Sequence, residues 1–161
     1  MTTMRAVLLA ALWSAASLVA AADSDARRNW FDDPFFALTA EIAQCPEPLG
    51  PLATQEEALR DSHHRAERGT RCHLEGRCRH PSAYDYDPEI AAGIKAELPR
   101  VVPHPSSLWV LVQGRRVWIY GCVGPKYRRG TLEKALRRVP DVELALEEVR
   151  AGDAKIPYRT R

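Results

Sequence analysis

Cysteine and histidine side chains are concentrated between residues 63 and 80 of this 161-residue chain. Cys72 and Cys78 are separated by five residues, whereas structural zinc sites space paired cysteines by about two to four. Redox dithiols use C-x-x-C and haem attachment uses C-x-x-C-H, and the sequence contains neither motif. The spacing favours a disulfide and predicts no cofactor, with a metal site built from histidines as the weaker alternative. The histidines of this stretch are His63, His64, His73 and His80.

Hydrolytic chemistry has little support in the sequence. The G-x-S-x-G motif of serine hydrolases does not occur. Asp61, Ser62 and His63 are consecutive on a predicted helix, where consecutive side chains do not face one another as a catalytic triad requires. We therefore predict no catalytic residues and no enzyme activity, and histidine-based hydrolysis is only a weak alternative.

The N-terminal residues predict export. Arg5 is followed by an apolar run that ends in Ala20 and Ala22, which fit an A-x-A cleavage site. This pattern indicates a signal peptide over residues 1–22 and a periplasmic protein. A retained anchor helix is the alternative, because the run is at the lower edge of the roughly 17–25 residues that span a bilayer. All four cysteines follow this segment, and an even number in an exported chain indicates two disulfides.

Charge is distributed unevenly along the chain. Residues 23–100 contain 10 basic and 15 acidic side chains, and residues 101–161 contain 12 basic and 6 acidic ones. Two basic groups stand out, one at a predicted hairpin turn and one at a predicted helix start, where free backbone N–H groups favour anions. Phosphate head groups are the expected anion in a cell envelope, and nucleic acid is not an expected partner of an exported protein. The candidate anion-binding or lipid-binding residues are Arg115, Arg116, Lys126, Arg128 and Arg129.

Turn and cap signals divide the first half of the chain into three short helices. Asp33-Pro34 predicts a helix that ends near Cys45, and Thr54 with Glu57 predicts a capping box on a helix from 55 to about 69. Asp87-Pro88 predicts a third helix, preceded by a loop.

The second half alternates apolar and polar residues, which is typical of strands. Residues 107–124 predict a β-hairpin that turns at Gly114, and 125–139 predict a helix. A further strand is predicted over 142–149, followed by a mobile tail over 151–161.

From Asp87 onward the predicted order is helix, strand, strand, helix, strand. This order and its apolar positions resemble the BON domain (bacterial osmoprotectant and nodulation), although Asp141 stands where that family typically has glycine. The resemblance rests on Leu108, Val110, Val112, Gly114, Val117, Ile119, Gly121, Val123, Leu132, Ala135, Val139 and Val142.

The resemblance implies an α+β fold of αββαβ type, with two helices on one face of a three-stranded sheet. It also implies a non-enzymatic bacterial envelope module that contacts phospholipid surfaces. The expected organisation is a signal peptide (1–22), a helical extension packed on the sheet (23–86), a BON-like domain (87–150) and a flexible tail (151–161).

The hairpin alternation also predicts an apolar second face of the sheet, which contains Trp109, Leu111, Trp118, Tyr120 and Cys122. A two-layer domain would expose this face to water, so we expect the N-terminal extension to cover it. The alternative is a protein–protein adaptor that binds an envelope protein through Trp109, Trp118 and Tyr120.

Facing direction and proximity along the chain favour the disulfides Cys45–Cys122 and Cys72–Cys78. The other two pairings of the four cysteines remain open at this point.

Overall fold

The structure, a computed structural model, describes residues 26–161. The predicted signal peptide lies outside this range. Among the described residues, no helix is both long enough and apolar enough to cross a bilayer.

The described chain contains four helices and four strands. The strands are β1 (Phe35–Ala40), β2 (Ser106–Gln113), β3 (Arg116–Val123) and β4 (Leu144–Ala151). The helices are α1 (Gln55–Glu67), α2 (Thr70–Leu74), α3 (Asp87–Glu97) and α4 (Thr131–Leu136), with short 3-10 turns at Ala83–Tyr86 and Leu98–Arg100. Their order along the chain is β1, α1, α2, α3, β2, β3, α4 and β4.

One mixed sheet organises the protein, in the order β1-β2-β3-β4. β1 pairs antiparallel with β2, and β2 with β3, whereas β4 lies parallel to β3 after the α4 crossover. Side chains of α3 and α4 pack with the inward positions of β2 and β3 in one core. The predicted alternation is confirmed, because the inward residues of the hairpin are fully buried: Leu108, Val110, Val112, Val117 and Ile119. The α+β class is thereby confirmed.

The helix predicted from Asp33 is wrong, because this segment forms the edge strand β1. It pairs with β2 through partners such as Ala37 and Trp109, which satisfies backbone groups that an open β2 edge would leave to water. Phe36 and Leu38 pack against the core whereas Ala37 is exposed, which is the period of a strand.

The predicted capping box of α1 is confirmed, but Asp87 has a different role from the predicted helix cap. Its carboxylate accepts hydrogen bonds from the backbone N–H groups of Gly114 (2.5 Å) and Arg115 (2.8 Å). Both turn residues have positive φ (59° and 65°), as a two-residue hairpin turn requires. Burial raises the pKa of Asp87, although these N–H donors act in the opposite direction.

The helix predicted over 125–139 is confined to Thr131–Leu136. It begins after Gly130, whose φ of 84° is left-handed and therefore interrupts a right-handed helix. Lys126, Arg128 and Arg129 consequently lie in the loop before the helix and not at its first turn.

Two disulfides and the C-terminal tail tie the extension to the sheet. The bonded pairs are Cys45–Cys122 and Cys72–Cys78, as the sequence favoured. The tail forms hydrogen bonds with the extension, since Leu49 donates its N–H to the carbonyl of Arg159 at 2.8 Å. The Tyr158 hydroxyl likewise donates to the carbonyl of Pro46 at 2.9 Å.

A buried ion pair joins α1 to the segment that enters β1. The guanidinium of Arg65 donates two hydrogen bonds to the carboxylate of Asp33, and both side chains are less than a tenth exposed. Gln113 donates to the same carboxylate at 2.7 Å. The guanidinium lies between the rings of Phe31 and Tyr84, at 4.0 and 3.8 Å from their centroids. Burial by itself lowers the pKa of Arg65, but its hydrogen bonds to Asp33 raise it, with a net upward shift that keeps the guanidinium charged.

We predict that Arg65→Met lowers the free energy of unfolding by about 3–5 kcal/mol, because it leaves the buried Asp33 carboxylate without its counter-charge. Urea denaturation measures this loss. The double variant Asp33→Asn/Arg65→Met should lose less than the sum of the two single variants. Arg60→Ala, an exposed arginine of the same helix, is the control and should change stability by less than about 0.5 kcal/mol. Additive single effects would contradict the coupling.

The start of α1 predicts a pH dependence of stability. The side-chain hydrogen bonds from Arg27 to Glu57, followed by the backbone N–H of Thr54, lower the pKa of Glu57 from 4.5 to about 2. The stabilisation by Glu57 is therefore complete above pH 4.5 and is lost as the pH falls towards 2. The difference in Tm between the wild type and Glu57→Gln should be constant at neutral pH and should shrink over this acid range. Glu56→Gln is the control, because Glu56 is exposed and lies one position earlier. Its difference in Tm from the wild type should not shrink over this acid range.

Candidate functional site

The structure separates the predicted cations into two groups at opposite ends of β3. Arg115 and Arg116 lie at the hairpin turn where β3 begins, and the other three follow its last residue, Val123. An eight-residue strand spans roughly 26 Å at about 3.3 Å per residue. The five residues therefore do not form a single basic edge.

The loop formed by residues 124–130, termed the basic loop, is fixed by one carboxylate of β4. Glu147 accepts a hydrogen bond from the Tyr127 hydroxyl at 2.7 Å and another from the Gly130 backbone N–H at 3.1 Å. The Tyr127 oxygen in turn accepts from the Leu132 N–H at 2.9 Å. The carboxylate therefore occupies the position at the start of α4 that the sequence assigned to an external anion. Burial and the hydrogen bond to Glu147 raise the pKa of Tyr127.

The three cations of the basic loop face solvent. Lys126, Arg128 and Arg129 are exposed. None of them lies within 4 Å of a carboxylate in the described residues 26–161. A groove of about 400 Å³ adjoins Lys126. It is lined by Pro103, His104, Pro105, Gly124, Pro125, Lys126 and Tyr127. The loop thus combines unpaired positive charge with an adjacent surface rich in proline.

The hairpin-turn cations have different surroundings. Arg115 donates to the backbone carbonyl of Asp141 at 2.9 Å, and its guanidinium lies 4.8 Å from the centroid of the Tyr86 ring. Arg116 is exposed and borders a pocket that also contains Trp118. Arg115 is therefore partly engaged within the fold, and only Arg116 presents an open side chain at this turn.

The second face of the sheet, which contains the predicted partner-binding residues, is largely covered. Trp109, Trp118 and Tyr120 are half-buried, and Leu111 and Cys122 are buried. Tyr158 of the tail packs edge-on against Tyr120, with 5.6 Å between ring centroids. The expected cover is present. It consists of the proline-rich segment over residues 45–52, the tail, and α1, whose Asp61 and His64 line a pocket together with Trp118.

Histidines and carboxylates do not assemble a metal site in the described part of the chain. No group of three or more potential ligands is close enough to hold an ion there. His73 lies 3.1 Å from the carbonyl oxygen of Cys78. His80 packs edge-on against Tyr86, and its buried Nε2 has no hydrogen-bond partner.

Sequence reasoning missed a second basic region, because its arginines come from segments that meet only in the fold. Arg68, Arg71 and Arg77 line a pocket together with Arg115, beside the Cys72–Cys78 disulfide. The density of arginine around the two cysteines was a visible signal, but the sequence does not show that these side chains converge with the hairpin turn.

Comparison with known proteins gives no further guidance, since no family model, curated protein or solved structure matches the chain.

The role of Glu147 can be tested directly. Glu147→Ala should increase amide hydrogen exchange at Gly130 and Leu132, because the acceptor of Gly130 is lost and Tyr127 is no longer held beside Leu132. Hydrogen exchange followed by NMR measures this at each residue. Glu148→Ala, the next residue of the same strand, is the control. Equal exchange in both variants would show that the carboxylate does not order the loop.

Proposed function

We propose that this protein is a non-enzymatic binding module of the bacterial cell envelope, and that the basic loop contacts an anionic surface such as phospholipid head groups. The observation that carries the proposal is the set of three exposed, unpaired cations on a loop whose backbone Glu147 fixes. A fixed loop presents its charges with a small loss of conformational entropy on binding.

The magnitude of the interaction fits reversible peripheral binding. Each basic residue near an anionic membrane surface contributes roughly 1 kcal/mol, so three of them raise the binding constant by about two orders of magnitude. The neighbouring prolines and Tyr127 offer apolar contact at the level of the head groups. The two disulfides are consistent with an oxidising compartment outside the cytoplasm, and the periplasmic location is part of the proposal.

Vesicle flotation tests the proposal. The purified protein should float with vesicles of phosphatidylglycerol and phosphatidylethanolamine at low salt, and this binding should weaken steeply as salt increases, because screening reduces the attraction. The triple variant Lys126→Ala/Arg128→Ala/Arg129→Ala should lose binding about 100-fold.

The matched control removes three exposed arginines elsewhere, in Arg60→Ala/Arg100→Ala/Arg138→Ala. This variant carries the same net charge as the loop variant and should retain most of the binding. Equal losses in the two triple variants would mean that net charge, and not the basic loop, attracts the surface. Absence of flotation at low salt would exclude the phospholipid function.

A further inference from the structure

The pocket beside the Cys72–Cys78 disulfide is lined by four arginines and one carboxylate. It has a volume of about 390 Å³ and lies between the end of α1, the disulfide loop and the β2–β3 turn. Its charged lining residues are Arg68, Arg71, Arg77, Arg115 and Glu143. The four arginines and one glutamate give this concave site an excess of positive charge, which attracts anions.

Close packing fixes the inner side of this pocket. Gly69 has a φ of 95°, and a Cβ atom on it would lie 2.5 Å from the backbone nitrogen of Ala83. The Ala83 N–H donates to the Arg68 carbonyl at 3.0 Å. The turn between α1 and α2 is thereby held against the following 3-10 turn, and it sets where Arg68 and Arg71 enter the pocket.

The disulfide fixes the outer side. Cys72 and Cys78 are bonded with their Cα atoms 5.3 Å apart, and the Arg77 N–H donates to the Cys72 carbonyl at 2.8 Å. The end of the loop is held by Tyr86, whose hydroxyl accepts from the Arg79 backbone N–H at 2.8 Å. The ring of the same tyrosine contacts Arg115.

The existing partners of these arginines leave positive charge uncompensated. Arg71 and Arg77 share one carboxylate, that of Glu75, and both arginine side chains are more than three-fifths exposed. Arg115 and Arg79 likewise share Asp141, although Arg79 also pairs with Glu89. Arg68 pairs with Glu143, the carboxylate of the pocket, at 3.1 Å. Exposed ion pairs contribute little free energy, so a multivalent anion can take over the guanidinium groups of Arg71 and Arg77 at small cost. Arg68, whose side chain is less than a fifth exposed, keeps Glu143 as its partner.

We propose that this arginine pocket binds a phosphomonoester group. A terminal phosphate carries close to two negative charges and three acceptor oxygens, which suit several guanidinium groups that approach from different chain segments. The proposal is independent of the function assigned to the basic loop, because the pocket lies at the hairpin-turn end of the sheet. The group can belong to a soluble compound or to a lipid head group, and the two sources are separable.

Titration with glycerol phosphate, followed by NMR and calorimetry, tests the proposal on the soluble side. Vesicles that contain phosphatidic acid, compared with phosphatidylglycerol vesicles of equal charge, test it on the lipid side. Saturable binding of glycerol phosphate supports a soluble ligand, and a preference for phosphatidic acid alone supports a lipid head group. Absence of both would overturn the proposal.

Variants locate the binding. Arg71→Ala/Arg77→Ala should weaken phosphomonoester binding at least about tenfold, since it removes two charge-assisted donors. Both side chains are largely exposed, so the fold should be retained. Arg137→Ala/Arg138→Ala is the matched control, because Arg137 also pairs with a surface glutamate, Glu133. If both variants weaken phosphomonoester binding equally, net charge and not the arginine pocket attracts the ligand, and the proposed site is wrong.

A second variant tests the contribution of the disulfide. Cys72→Ser/Cys78→Ser should also weaken binding about tenfold, because the loop no longer holds Arg77 beside Arg71. Circular dichroism should show the fold retained through Cys45–Cys122. Undiminished phosphomonoester binding in this variant would show that the disulfide does not position the arginines of the pocket. The triple variant of the basic loop should bind glycerol phosphate as the wild type does, which keeps the two proposals distinguishable.

Discussion

The buried ion pair between Arg65 and Asp33 is the interaction on which the rest of the structure depends. A charged guanidinium inside a protein is costly unless its counter-charge and hydrogen bonds are in place. Here the counter-charge comes from the segment that enters β1, and Gln113 at the end of β2 donates to the same carboxylate. The pair is satisfied only when α1, the β1 entry and the hairpin meet, so it fixes the position of the extension on the sheet. The flanking rings of Phe31 and Tyr84 exclude water from it.

Covering the second face of the sheet determines where function can reside. Once the proline-rich segment, α1 and the tail lie over this face, its aromatic residues are half-buried and stabilise the fold. The predicted anion-binding cations lie at the two ends of β3. One end presents the basic loop to solvent, and the other contributes Arg115 to the arginine pocket. The two proposed sites therefore have the same origin, which is the docking of the extension.

Internal carboxylates decide which backbone donors remain free. Asp87 satisfies the N–H groups of the hairpin turn, and Glu147 satisfies that of Gly130 at the start of α4. Because these N–H groups are already bonded within the fold, they do not donate to an external anion. The guanidinium groups of this arginine-rich chain are then the available donors. Anion recognition by this protein is consequently expected to use side chains, with the specificity that guanidinium geometry allows.

The sequence by itself determined the local features. Strict alternation identified the hairpin and its buried positions, the Thr54 capping box identified α1, and the facing direction of Cys122 favoured its pairing with Cys45. Only the tertiary structure decided that Asp33-Pro34 opens a strand, because an unpaired β2 edge outweighs a local helix signal. The distribution of charge between two sites was equally hidden. The distance between Arg115 and Lys126 depends on the length of β3. Arg71 and Arg115 line one pocket only because α1 docks where it does. The spacing of residues along the sequence shows neither arrangement.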